Sequence, residues 1–347
     1  MGRITDSSLF DRIHGFLTVY LPGQKCASPH TVVAYRHAIN LYLDFICEST
    51  GGTLKKIDFS AFQKQHAEEF LAWMKDTKQY TSATINQKMA GIREFLSYAS
   101  VRNPELVVYL RGFSDIPRQK TDTWASVEYM SENAVNAILR QPDPATRSGL
   151  RDLFYMILIY DTAARVDEMA KIRICDVRIG KTSTVILHGK GSKTRMVPIM
   201  ERTVSHFKQY MGLFHPQETE YSKQPLFYVK RKGISAPLSD DNVRRFMKKY
   251  ASMAHMECTE VPDSVYPHLW RHSRAMHLYQ HGMDLTLISQ WLGHANLEVT
   301  LVYAHADTEK KREAINKAME NTSLSTPDAS VFKVDDDELL KKLCGLR

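Results

Sequence analysis

Through most of the first hundred residues apolar side chains recur at intervals of three and four, the period of an amphipathic helix. Leu9, Ile13, Phe16, Leu17 and Tyr20 make a first stripe behind the capping residues Ser7 and Ser8, and Pro22-Gly23 predicts its end. Ser28-Pro29 opens a second helix whose stripe runs from Val32 to Ile46 and stops at Gly51-Gly52. A third spans Ala61 to Met74. Thr81-Ser82 precedes a fourth, with Ile85, Met89, Ile92, Phe95, Leu96 and Tyr98 on one face. From Arg111 to Trp124 the period fails. That stretch is basic, contains Gly112 and Pro117, and predicts a linker able to track a phosphate backbone.

The second half is helical with two interruptions. Ser131 caps Glu132 to Leu139, Pro142 and Pro144 break the chain, and a strongly apolar helix runs from Leu150 through Tyr160 toward Arg165 and Glu168. Thr184 to Leu187 and Met196 to Ile199 predict two strands of a hairpin, joined through His188-Gly189-Lys190-Gly191-Ser192-Lys193. Glu201 to Leu213 is helical, Leu226 to Val229 a short strand, Lys230 to Gly233 a basic turn, and Ser239 caps a helix through Tyr250. Pro267 opens another that Gly282 ends, followed by Leu285 to Leu292 and a last one from Glu298. After a polar stretch, Asn321 to Ser330, comes an amphipathic segment from Asp335 to Leu343, acids first and lysines last. It suits docking on another subunit, folding back, or staying unpaired. The expected fold is mainly α with a small antiparallel β-sheet. The expected division is 1–112, a linker 113–124, 125–320, and a tail 321–347.

The net charge of +7 tilts a chain of otherwise ordinary composition toward polyanions, nucleic acid first. The five cysteines are scattered without a C-x-x-C pair, which argues against a zinc site or a disulfide framework and suits a reducing cytosol. No signal region follows Met1, and no apolar run is long enough to span a bilayer, so the Asn321-Thr322-Ser323 sequon carries no weight. Gly189 to Lys193 lacks the glycine spacing of a Walker A loop and the helix that should follow it, which argues against nucleotide hydrolysis.

Chemistry concentrates in a few places. Arg165, at the edge of an apolar run, needs an anion or a salt bridge, and Glu168 lies one helical turn on to orient it. His268 and Arg271 share a helix face, with His294 and Tyr303 downstream. With Lys190 on its turn, these cations suit a phosphodiester whose charge grows at the equatorial oxygens, and a phenol helped by them can attack it. Tyrosine attack would store the phosphodiester energy in a covalent link, so a DNA hydroxyl could reverse it without ATP. There is no acidic cluster for Mg²⁺. On the polar faces of the second and fourth helices, Thr31, Tyr35 and Arg36, and Thr84, Asn86, Lys88 and Arg93, suit phosphates and base edges, or simply face solvent. Arg244 and Arg245, with Lys248 and Lys249, form a further positive stripe.

These motifs resemble the tyrosine recombinase (integrase) superfamily: Ala164-Arg165-Val166-Asp167-Glu168, Gly189-Lys190-Gly191-Ser192-Lys193, Pro267-His268-Leu269-Trp270-Arg271-His272, Leu292-Gly293-His294 and Val302-Tyr303-Ala304-His305. The step from His294 to Tyr303 is like that of the bacterial Xer type, and the chain as a whole resembles Xer-like and mobile-element integrases. The segments from Thr31 and Thr84 resemble the family's helical, SAM-like core-binding domain. The resemblance implies that Tyr303 attacks the scissile phosphate, giving a 3′-phosphotyrosyl link and a free 5′-hydroxyl. Arg165 and Arg271 would hold non-bridging oxygens, and Lys190, preferred over Lys193 by the family pattern, would protonate the leaving oxygen. His268 would assist proton transfer at the nucleophile, His294 would bond the phosphate, and Glu168 would support Arg165. It implies no cofactor or metal. Four protomers would synapse two double-stranded sites with inverted-repeat cores and exchange strands through a Holliday junction, the tail docking on a neighbour. The setting would be the cytoplasm, at the nucleoid. The job would be integration, excision or transposition of a mobile element, or dimer resolution. A type IB topoisomerase-like relaxer and a catalytically silent regulator are the rivals.

Overall fold

In the computed structural model the described residues are 7–121, 127–189, 193–231, 234–294, 296–306 and 337–343, with single positions at 312, 315, 316 and 345. The chain divides into two units, residues 1–123 and 124–347.

The first unit is helical. Helix α1 (Ser7–Gly15) passes into a π-helical stretch, Phe16–Gln24, that runs through Pro22 instead of stopping there. The Lys25 N–H reaches back five residues to the Tyr20 carbonyl, at 2.9 Å. A proline ring crowds the carbonyl four residues before it, and the wider turn removes that clash. Helix α2 (Pro29–Thr50) starts where Ser28 accepts the Thr31 N–H and ends at Gly51, whose φ of 63° is left-handed. Helix α3 (Lys64–Asp76) begins later than the apolar pattern predicts, because Phe59–Phe62 forms a 3₁₀ turn of its own, capped by Asp58. Helix α4 (Ser82–Arg102), capped by Thr81, packs against α2. The contact is close at Gly91, where a Cβ would lie 3.0 Å from that of Ala38 and 3.2 Å from the Tyr35 ring. The core is aromatic around Tyr42, with the Phe62, Phe70 and Phe113 rings 5.0, 5.0 and 5.5 Å away. The Tyr42 hydroxyl donates to the Ala61 carbonyl at 2.6 Å.

Where the apolar period fades, helix α5 (Val107–Ser114) continues across the expected start of the linker. Phe113 and Ile116 are buried in the first unit. Asn86 exchanges two 2.8 Å hydrogen bonds with the Gln119 backbone, and Arg93 donates to the carbonyls of Phe113 at 2.8 Å and Ile116 at 2.6 Å. Residues 113–119, read from the sequence as linker, are therefore held by side chains of α4.

The second unit opens with α6 (Glu132–Leu139), capped by Ser131, and the apolar α7 (Arg147–Thr162), capped by Thr146. Helix α7 is a spine with most of its residues buried. After the short α8 (Val166–Met169) come β1 (Val177–Arg178), β2 (Thr184–His188) and β3 (Thr194–Pro198), an antiparallel sheet in that order with Val185 opposite Val197. Helix α9 (Glu201–Phe214) follows, then the hairpin β4 (Tyr228–Arg231) and β5 (Ile234–Pro237). Helices α10 (Asp240–His255), α11 (Pro267–Gln280), α12 (Leu285–Leu292) and α13 (Glu298–Ala306) complete the body, and α14 (Asp337–Leu343) lies in the tail. The fold class is the expected one, mainly α with small antiparallel sheets.

One buried carboxylate clasps three of these helices. Asp161, near the end of α7, accepts from the Met200 N–H at 2.8 Å and the Thr203 hydroxyl at 2.7 Å, and pairs with Arg274 of α11 at 3.2 Å. No helix among the described residues is long and apolar enough to cross a membrane.

Candidate active site

Helix α7 ends at Ala163, a non-glycine residue with a left-handed φ of 49°. Such a conformation persists only where packing over-determines it, and Ala163 and Ala164 are fully buried. The turn delivers Arg165 to the head of α8 with its side chain 40% exposed. Glu168, one turn on and 2% exposed, receives the Arg165 backbone N–H at 2.8 Å and the Arg165 guanidinium at 3.1 Å.

Glu168 has a stronger partner that the sequence reading missed. Arg195 of β3 grips both carboxylate oxygens, at 2.6 and 2.8 Å, and its Nε donates to the Trp291 carbonyl of α12 at 2.8 Å. Burial alone would raise the Glu168 pKa, but hydrogen bonds from Arg195 and the Arg165 backbone, with the charges of both arginines, hold it down at about 2. The missed signal was strand alternation. Val197 is buried and Met196 is 55% exposed, so Arg195, two positions before Val197, shares the inner face while an apolar residue points outward.

Arg271 is 1% exposed on α11. Its two terminal nitrogens donate to the carbonyls of Ala163 and Leu292, each at 2.6 Å. These carbonyls lie at the C-terminal ends of α7 and α12, where the helix dipole favours a cation. Burial, then Arg165 and Arg195, push its pKa down to about 9, still well above neutral.

The imidazoles surround this pair. His268 sits in the first turn of α11, its pKa lowered by partial burial and then by Arg271 and Arg165. His294 follows Gly293, whose φ of 64° ends α12, and its Nδ1 lies 2.9 Å from the Thr300 hydroxyl. Burial, then Arg271, Arg165 and Arg195, lower the His294 pKa to about 4. Tyr303, on α13, is 1% exposed. Burial raises its phenol to about 12 against the opposing pull of Arg271 and Arg165. Its hydroxyl meets the Nδ1 of His272 at 3.0 Å, a second residue absent from the expected set. The signal was its place beside Arg271 and one turn after His268.

Arg165, Glu168, His268, Arg271, His294 and Tyr303, spread over 139 positions (303 − 165 + 1) of the sequence, thus converge on one site. Lys190 lies outside the described residues. The base of its turn is closed by the Gly189 N–H to the Lys193 carbonyl at 2.7 Å, and a Cβ on Gly189 would lie 3.4 Å from the Glu168 carboxylate. The turn is therefore rooted beside the arginines.

The expected DNA contacts fall into four groups. Arg36, Arg244 and Arg245 are exposed, with Arg245 also donating to Asn242 at 2.5 Å. Thr31 and Thr84 are half-buried, their hydroxyls 2.9 and 3.0 Å from those of the caps Ser28 and Thr81. Lys88 is half-buried, and Tyr35 stacks on Phe16 at 6.2 Å. Asn86 and Arg93 make the bonds to 113–119 described above.

The described geometry sets a phenol among guanidiniums and imidazoles, at helix ends, on a helical domain with a small sheet. Residues 128–310 match the model of the phage integrase family, and residues 13–103 match the phage integrase N-terminal SAM-like domain. The chain belongs to the phage integrase family. It is a tyrosine recombinase, a DNA strand-transferring enzyme. It is 26% identical over 314 residues to a tyrosine recombinase of Pseudothermotoga lettingae, covering 89% of this chain and 99% of that one. It is 27% identical over 309 residues to tyrosine recombinase XerC of Chlamydia caviae, covering 85% and 94%. Among solved structures it is similar to XerH site-specific recombinase bound to difH substrate, with a TM-score of 0.65, 19% identity and coverage of 92% and 91%. It is also similar to the Tn1549 transposon integrase in complex with circular intermediate DNA, with a TM-score of 0.63, 15% identity and coverage of 88% and 99%.

Proposed function

We propose that this site-specific recombinase cuts and rejoins duplex DNA through a 3′-phosphotyrosyl intermediate on Tyr303. The observation that carries the reading is the buried phenol under the field of Arg271 and Arg165. Arg165 and Arg271 would take the non-bridging oxygens of the scissile phosphate, where preorganised cations stabilise the charge developing in the transition state. His294 would bond the same phosphate, Lys190 would protonate the leaving 5′-oxygen, and His268 would assist proton transfer from the nucleophile. Glu168 keeps Arg165 in place. The charges required come from the protein, so the reaction needs no metal or ATP.

The DNA partner is a duplex with inverted-repeat core sites. The complexes of XerH and of the Tn1549 integrase with DNA support this by likeness of fold. Arg36, Arg244 and Arg245, with Thr31, Tyr35, Thr84, Asn86, Lys88 and Arg93, are the candidate contacts. Four protomers would join two sites and pass through a Holliday junction, with the tail of one on its neighbour. The SAM-like match over residues 13–103 favours this over a type IB relaxer.

The test is Tyr303→Phe. Wild-type protein incubated with a nicked duplex should give a protein–DNA band that survives SDS, and the variant should bind the duplex without giving that band. A covalent band from the variant would remove Tyr303 from the role of nucleophile.

A further inference from the structure

At the nucleophile the residues leave one question: where the phenol proton goes. The imidazole that touches the Tyr303 oxygen is His272, at 3.0 Å through Nδ1. His268 lies one turn earlier on the same helix, its ring centroid 4.9 Å from that of His272 at 77°. Three side chains thus form a row of falling exposure: His268 exposed, His272 half-buried, Tyr303 buried.

On the reading of Tyr303 as nucleophile, we infer that His272 is the immediate proton acceptor for its attack, and that His268 connects His272 to the open face of the site. The step balances. The Tyr303 O–H bond breaks, its proton goes to Nδ1 of a neutral His272 carrying its own proton on Nε2, and the phenolic oxygen forms the bond to phosphorus. The bond from phosphorus to the 5′-oxygen breaks, and that oxygen takes a proton from the leaving-group acid. Rejoining runs the same path backward, with His272 returning the proton to the phenol.

The surroundings explain why this acceptor works only with DNA in place. Among the described residues four groups face His272: His268, Arg271, His294 and Tyr303. Burial, then His268 and Arg271, lower its pKa to about 4 without DNA, which keeps it neutral but weakly basic. A phosphodiester brings a negative charge that offsets Arg271 and raises the basicity of the ring. His272 is a poor base on the free protein and a better one on its substrate, so attack is coupled to binding.

The experiment uses the full chain and duplexes drawn from a randomised pool by covalent capture with the wild type. Each duplex is made in two forms, with an ordinary phosphate or with sulfur in place of the 5′-bridging oxygen at the mapped cleavage position. A sulfur leaving group needs no proton, so this form erases defects in the acid and leaves defects at the nucleophile. His272→Ala and His272→Asn should both cleave about 100-fold slower or worse on both forms, the usual scale for loss of a general base. Both should bind DNA normally and recover as pH rises toward the range where hydroxide deprotonates the phenol.

Full activity of His272→Asn, which keeps a hydrogen-bond acceptor without a basic nitrogen, would make His272 a mere holder of the phenol and overturn the proposal. So would a His272→Ala defect that disappears on the sulfur form, since that would place it at the leaving group. His272→Asn, closer in size to imidazole, stands in if His272→Ala fails to fold. A wild type that captures no member of the pool would overturn the recombinase reading and this proposal together, whereas cleavage by the wild type with an unaffected His272→Asn overturns this proposal alone.

Discussion

At the scale of single residues the site is a set of groups whose pKa values are moved from their ordinary positions by burial and by one another. His272 and His294 are both lowered to about 4 from the 6.5 of a free imidazole, and Glu168 to about 2 from 4.5. In each case the unfolded chain takes up a proton at a higher pH than the folded one. The stability they contribute is therefore complete above pH 6.5 and is lost as the pH falls, first through the histidines down to about 4, then through Glu168 from 4.5 toward 2. Thermal melts between pH 8 and 4 should show a falling midpoint below about 6.5, with a shallower fall in His294→Asn; an identical slope in that variant would show that His294 is not held neutral by the fold. The sequence pointed to Arg165 because it stood at the edge of an apolar run, to Arg271 because it shared a helix face with His268, and to Tyr303 because it followed this group of cations. It did not point to His272, because nothing in a list of side chains says which of two neighbouring imidazoles reaches a phenol 31 positions away (303 − 272).

At the scale of elements the important connection is the clasp between α8, β3 and α12. Arg195 joins the carboxylate of Glu168 to the carbonyl of Trp291, and so links the arginine turn, the hairpin that bears Lys190 and the helix that precedes His294. Arg195→Ala leaves a buried carboxylate with one of its two arginines, a change that costs about 3–5 kcal/mol when a buried pair loses a partner. The expected outcome is an unfolding free energy, read from chemical denaturation, lowered by that amount, with cleavage lost in parallel. A shift below about 1 kcal/mol, the scale of a surface ion pair, would mean the clasp carries no weight. Arg195→Lys should recover less than half of the loss, because an ammonium cannot span both oxygens and the carbonyl in one plane. The period of the hairpin was readable, but the register that turns Arg195 inward was set by pairing with β2, which period alone does not fix. The stretch after Arg111 is a similar case. Its lack of an apolar period signalled a linker, yet Asn86 and Arg93 hold it through its backbone, and backbone carbonyls leave no trace in a hydropathy pattern.

At the scale of the whole molecule the proposal concerns assembly. Helix α14 is amphipathic, with Leu339 and Leu343 exposed at 50% and 72%, acids in its first turn and lysines in its last. Exposed leucines at helical spacing suit a groove on another protomer. Removal of residues 331–347 should weaken the pairing of two DNA sites by about tenfold or more while single-site binding changes little, as read in gel shifts at matched protein concentration. An equal loss of both would rule out docking in trans.

By itself the sequence determined the class of fold and the succession of helices, and it named the candidate side chains of the site, because these depend on local period, caps and residue chemistry. What only the tertiary structure decided was partnership. Glu168 belongs more to Arg195 than to Arg165, Arg271 is seated on the carbonyl ends of two helices, and the Tyr303 phenol rests on His272. Each of these contacts joins groups that only packing brings together, and a hydrogen bond is decided by a few tenths of an ångström that no spacing along the chain specifies.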